Sequence, residues 1–238
     1  MADELIHYEV RDRVALVTIA NGKANALSPD VIAGLEAALT RAEDAGEDAV
    51  GALVIIGAPG VLSGGFDLAV MRSSAAAAGK LVTDGGARIT RLFGSDVPVG
   101  IACTGHAGAA GALLLLGADE RIGAHGTFRI GLIETEIGLV LPQWAAELAR
   151  ERLTPRHLQI ATVGARMYDP DSAAAAGFLD AVVEPHLVEL SALETAGRWA
   201  KLPRHAYRGQ VRMNRSDILG RLSDAIAADR GRAFDVPA

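Results

Sequence analysis

The chain has 238 residues; half are apolar and only 4% aromatic, so its core must be built from Ala, Val, Ile and Leu. That content excludes a disordered chain, and the length allows one large domain, or a domain with an appendage. Lys and Arg total 23 against 29 Asp and Glu, a net charge of −6 with no basic stripe, which argues against nucleic acid as the main partner.

The only cysteine, Cys103, lies in an apolar stretch and reads as a small buried hydrophobe. One thiol makes no intrachain disulfide and no cysteine-based metal site, and a reducing, cytoplasmic setting is expected. No histidine pair has metal-ligand spacing, so no metal is expected. The acidic start runs straight into a strand pattern, without the features of a signal peptide.

Residues 6–10 and 14–19 read as the arms of a hairpin turned at Arg11, Asp12 and Arg13. Ser28 and Pro29 are a helix start, a capping hydroxyl followed by proline at the first helical position. Val31, Ile32, Leu35, Ala38 and Leu39 then recur at helical spacing. The continuous apolar run 50–56 is a buried strand. Residues 67–93 read as mostly helical, with a weak Ala-rich stretch at 74–80.

Residues 97–118 carry no formal charge and exceed the length of a membrane span. Pro98, Thr104, His106 and the glycines interrupt them, so the reading is a buried strand, a Gly-rich break and a buried helix around 113–116. Beyond Pro142 the spacing predicts helices at 143–153, 155–163, 171–176 and 187–200, a short strand at 181–183, and one or two helices after His205. The class is α/β, with a core domain over 1–150 and a helical subdomain over 151–238 that offers an assembly surface.

Several chemical motifs fail on inspection. Gly105, Gly108 and Gly111 have the spacing Gly-x-x-Gly-x-x-Gly, which is not the dinucleotide fingerprint, and no acidic ribose partner follows. No Walker lysine follows Gly60, and Ser63 lacks the nucleophile elbow. Three other features stand in order: Lys23, Ala24, Asn25, Ala26, Leu27 and Ser28 between a strand and a capped helix; Leu62, Ser63, Gly64, Gly65, Phe66, Asp67 and Leu68 after a buried strand; and the Gly-rich helix entry at 105–111, with Asp119 about two turns on.

With these three motifs at this spacing, the chain resembles the crotonase, or enoyl-CoA hydratase/isomerase, superfamily over nearly its whole length. The resemblance implies a spiral of ββα units with a C-terminal helical subdomain. It implies an acyl-CoA substrate, with coenzyme A part of the substrate and no separate cofactor, and assembly as a homotrimer or hexamer. By motif position the backbone amides of Phe66 and Ala110 form an oxyanion hole for the thioester oxygen. Lys23, Ala24, Asn25, Ala26, Gly64, Gly65, Asp67, Leu68 and Ala69 fall where the family binds CoA. C-terminal cations such as Arg208 and Arg212 are further candidates.

Departures from the family pattern refine the expectation. Family hydratases carry a glutamate three residues after the second oxyanion amide; Leu113 stands there. Their second glutamate lies four residues before a glycine, and Glu134 lies four before Gly138. The loop from Ile130 to Leu139 resembles that of mitochondrial-type 3,2-enoyl-CoA isomerases, which work with one glutamate. Glu134 is therefore the expected catalytic base, its pKa raised by an apolar pocket that includes Ile133 and Ile137. Glu136 is expected to be solvated or paired with Arg129. The expected function is 3,2-enoyl-CoA isomerase in fatty-acid metabolism. The alternatives are an enoyl-CoA hydratase and a non-catalytic acyl-CoA-binding protein.

Overall fold

In the computed structural model, which describes residues 5–230, 232 and 234, β1 (Ile6–Arg11) and β2 (Val14–Ile19) form the expected antiparallel hairpin. Its turn is two residues rather than three: Arg11 pairs with Val14, and Asp12 and Arg13 both take positive φ, 47° and 67°. Such mirror-image turns match the twist of the strands they join. The acidic residues 1–4 lie outside the described residues.

α1 (Pro29–Asp44) starts at Ser28, whose hydroxyl accepts from the Val31 amide at 3.3 Å, and its buried face carries Val31, Ile32, Leu35, Ala38 and Leu39. β3 (Ala52–Ile56) and β4 (Gly60–Ser63) follow. The helical stretch then divides at Ser74, whose extended backbone (φ −168°) separates α2 (Leu68–Ser73) from α3 (Ala75–Phe93). The Ala-rich stretch is itself helical, because the Ser74 hydroxyl caps it by accepting from the Ala77 amide at 3.1 Å.

The uncharged segment becomes β5 (Val99–Cys103), β6 (Gly105–Gly108) and α4 (Ala110–Leu116). Every residue of α4 is buried. Among the described residues no helix is long and apolar enough to cross a membrane. β7 (Glu120–Ala124) and β8 (Ile130–Gly131) complete the first half. The second half adds α5 (Gln143–Arg152), α6 (Pro155–Thr162), α7 (Pro170–Ala176), β9 (Ala181–Val183), α8 (Val188–Trp199) and α9 (Arg204–Asp229), one unbroken helix of 26 residues.

A six-stranded sheet of order β1-β2-β3-β5-β7-β9 forms the frame, parallel throughout after the hairpin. Alternation along the strands sorts the core into two layers. Ala15, Val17, Leu53, Ile55, Val99 and Ile101 face α1 and α3, while Val14, Leu16, Val54, Ile56, Ala102 and Ile122 face Val188, Ala192 and Ala196 on and beside α8. Cys103 is wholly buried, and burial pushes its thiol up to about 12, as befits an inert core residue.

Asp119 ties α9 to the frame. Its carboxylate accepts from the Val99 amide at 2.7 Å and the Tyr207 hydroxyl at 2.8 Å, and pairs with Arg215 at 2.6 Å. A second sheet, β4-β6-β8, is parallel and only three strands wide. It carries the candidate site.

Candidate active site

Parallel strands place all their carboxyl ends at one edge, and ligands of α/β proteins bind there. In the small sheet each such end runs within three residues into a residue expected from the sequence. Beyond Ser63 come Gly64, Gly65 and Phe66; beyond Gly108, Ala109 and Ala110; beyond Gly131, Leu132, Ile133 and Glu134. Gly64, Phe66, Ala109, Ala110, Leu113, Ile133 and Glu134 line one cavity of about 430 Å³.

The first loop is pinned from outside the cavity. Asn25 is fully buried, with φ 49°; its Oδ1 accepts from the Asn21 amide at 2.7 Å and its Nδ2 donates to the Leu62 carbonyl at 2.8 Å. The Gly64 amide donates to the Ala24 carbonyl at 2.8 Å, the Gly65 amide to the Ser63 hydroxyl at 3.1 Å and the Asp67 amide to the Leu27 carbonyl at 3.3 Å. The intervening Phe66 amide has no such partner among the described residues. The Phe66 ring is seated on α3 at Gly85, where any Cβ would collide with it.

The second loop meets the first at Gly65. Gly65 has φ +112°, and a Cβ there would lie 3.1 Å from Ala109 Cβ and 3.4 Å from the Ala110 nitrogen. Ala109 holds φ 48° and ψ −121°, a backbone region that costs an ordinary residue about 1–3 kcal/mol and that collects at functional sites. Its own amide donates to the Gly131 carbonyl at 3.0 Å. The Ala110 amide, at the start of α4, is left without a backbone partner among the described residues.

Glu134 sits in a wound turn closed by the Leu139 amide donating to the Glu134 carbonyl at 2.8 Å and the Ile137 amide to the Ile133 carbonyl at 3.1 Å. It is only 8% exposed, and among the described residues its Oε2 has no hydrogen-bond partner. Loss of hydration raises its pKa to about 7, so the group exchanges protons near neutrality. Among the described residues it is the only carboxylate on the cavity wall, and Leu113 presents hydrocarbon there. Glu136 is exposed as expected, and it makes no ion pair with Arg129 among the described residues.

Of the residues expected to bind CoA, Gly64 and Leu68 reach the cavity wall. Lys23, Ala24, Asn25, Ala26, Gly65, Asp67 and Ala69 do not. Lys23 and Ala24 are exposed beside the first loop, and the Asn25 amide is consumed within the protein. The Asp67 carboxylate caps α2, accepting from the Ala69 amide at 2.8 Å. Arg208 and Arg212 face Asp96 at 3.7 Å each.

Sequence reasoning missed Arg72, Met71, Val82, Pro142 and Phe234, which also line the cavity. Met71 and Val82 sit on helices where apolar residues are indistinguishable from core. Pro142 lies just past the loop that carries Glu134, and Phe234 comes from a distant part of the chain. No cluster of metal-ligating side chains occurs among the described residues.

Residues 9–231 match the family model for enoyl-CoA hydratase/isomerase, and the chain belongs to that family. It is 30% identical over 221 residues to human mitochondrial enoyl-CoA delta isomerase 1, covering 91% of this chain and 72% of the human protein. It is 31% identical over 200 residues to a probable enoyl-CoA hydratase of Mycobacterium avium, covering 81% and 74% respectively. Its fold superimposes with a TM-score of 0.94 on the crystal structure of an enoyl-CoA hydratase/isomerase family protein from Pseudomonas syringae, 42% identical over 98% of this chain and 100% of that one.

Proposed function

We propose that the protein is a 3,2-enoyl-CoA isomerase acting on unsaturated fatty acyl-CoA. The observation that carries the reading is the single buried carboxylate, Glu134, on the wall of an apolar cavity, with Leu113 where a second carboxylate would stand. Moving a double bond from C3 to C2 takes one proton from C2 and returns one at C4. One base between those carbons does both steps, and a resting pKa near 7 suits it to both.

The thioester oxygen receives the amides of Phe66 and Ala110. As the C2 proton leaves for Glu134, charge moves onto that oxygen and forms an enolate. Donors fixed before the reaction stabilise this charge without reorganising, an effect of about 3–4 kcal/mol per donor. The enolate then takes the proton back from Glu134 at C4. The nucleotide end of CoA lies over the loops at Lys23, Ala24, Asn25 and Ala26 and at Asp67 and Ala69. The protomers assemble as a homotrimer or hexamer through the helical second half, with an expected mass of three or six chains by light scattering.

A second reading, enoyl-CoA hydratase, is favoured by the hydratase-named relative at 31% identity. Hydration requires a water oriented at C3, for which one carboxylate among hydrocarbon is poorly equipped. Product analysis separates the two. Wild-type protein given 3-enoyl-CoA should yield 2-enoyl-CoA, while 2-enoyl-CoA in water should give little 3-hydroxyacyl-CoA. Efficient hydration without isomerisation would overturn the proposal. Binding without turnover of either substrate would leave an acyl-CoA-binding protein.

A further inference from the structure

One wall of the cavity comes from the far end of the chain. Phe234 lines it, is only 6% exposed, and belongs to the same core as Met71 and Val82. On its other side the ring reaches α3 at Gly79, where a Cβ would lie 4.0 Å from Phe234 Cδ2 and 3.5 Å from the Arg232 carbonyl oxygen. Gly79 and Arg232 in turn line a second, open groove of about 580 Å³, together with Ala75, Lys80 and Thr83. Phe234 therefore closes one wall of the cavity from beside α3, whose Gly79 also lines that groove.

The ring is also anchored. The Arg232 guanidinium carbon lies 5.5 Å from its centroid, a cation–π distance. The Arg232 amide donates to the Asp229 carbonyl at 3.0 Å. Asp229 is fully buried, and its carboxylate accepts from the Trp144 amide at 3.3 Å, at the start of α5. The segment carrying Phe234 is thus fastened to α5, which begins just after the cavity-lining Pro142.

We infer that Phe234 sets the upper limit of acyl-chain length, an inference that rests on the acyl-CoA reading above. With the thioester at the Phe66 and Ala110 amides and C2 to C4 at Glu134, the rest of the chain must follow the apolar wall of Met71, Val82 and Phe234. Each methylene buried there adds affinity until the tip meets the ring. The next one must displace the ring or stay in water. Removing the ring deepens the cavity at that wall and relieves the limit.

The test uses the full chain, saturated acyl-CoAs of stepwise increasing length as unreactive probes, and 3-enoyl-CoAs of matching lengths as substrates. Wild-type affinity should rise with length and then stop at a cutoff. Phe234→Ala should move the cutoff to longer chains, raising the ratio of long- to short-chain affinity by at least ~10-fold, the scale of one methylene in a fitted pocket. Phe234→Trp should move it to shorter chains, and it carries the test if the alanine variant fails to fold by circular dichroism. Folded variants with the wild-type cutoff, or a loss uniform across all lengths, would overturn the role of Phe234 while leaving the acyl-CoA reading intact. A wild type that binds no acyl-CoA of any length would overturn both.

Discussion

Gly65 and Ala110 come from separate strand ends, yet a side chain on Gly65 would stand 3.4 Å from the Ala110 nitrogen. That contact fixes the spacing between the two loops that carry Phe66 and Ala110, both of which line the same cavity. Gly65 is held at φ +112°, so any larger residue also strains the backbone that aims the Phe66 amide.

Gly65→Ala should therefore act on turnover more than on folding. The expected fall in kcat is about 10²-fold, the scale of losing one oxyanion donor. Steady-state kinetics with a thermal melt checks this. A variant with wild-type kcat would show that the contact does not set the amide geometry.

Glu134 makes the protein sensitive to pH in two ways. As its pKa is about 7, kcat/KM should fall below that value with a one-proton slope as the base becomes protonated. Stability runs the opposite way. The folded protein holds this proton more tightly than the unfolded chain, whose glutamate titrates near 4.5. The group's stabilising effect is therefore complete below about pH 4.5 and is lost as pH rises through 7. Relative to wild type, Glu134→Gln should gain up to roughly 3 kcal/mol between those limits, at 1.36 kcal/mol per pKa unit. Denaturant melts at several pH values measure it, and a difference that does not grow with pH would contradict the raised pKa.

Leu113→Glu places a second carboxylate on the cavity wall. It should raise hydration of 2-enoyl-CoA above the wild-type level, detected as 3-hydroxyacyl-CoA, and lower stability by about a few kcal/mol because a charge enters an apolar wall. A folded variant with no hydration would mean that the two carboxylates alone do not position the water.

Asp119→Ala offers a contrast remote from the cavity. It strips the Val99 amide, the Tyr207 hydroxyl and Arg215 of their shared acceptor. Breaking such a buried pair costs about 3–5 kcal/mol, so the melting temperature should drop sharply while kcat per folded molecule is retained. A lowered kcat in the folded fraction would show that α9 also shapes the site.

The site was legible in the sequence wherever a residue type was unusual for its place. Glu134 between isoleucines and the glycines at 64, 65 and 108 stand out locally, and the order of the motifs joined them. The sheet that brings them together was not legible. β4 and β6 are four residues each and β8 is two, glycine breaks their alternation, and their partners lie 23 to 45 residues away, beyond any local pattern. Ser74 hid its break because an extended serine just before an alanine-rich turn leaves helical spacing intact. The far wall was silent for another reason. Phe234 and Met71 read as ordinary core residues, and only the fold shows that the core they belong to has a hollow.

In the proposed isomerisation Glu134 alone moves the proton. A single-turnover measurement of Glu134→Gln with 3-enoyl-CoA, beside Glu136→Gln, tests it most directly. Glu134→Gln should lose at least ~10²-fold in the chemical step with acyl-CoA affinity retained, and Glu136→Gln should match wild type. Wild-type isomerisation by Glu134→Gln, or its loss in Glu136→Gln instead, would contradict it.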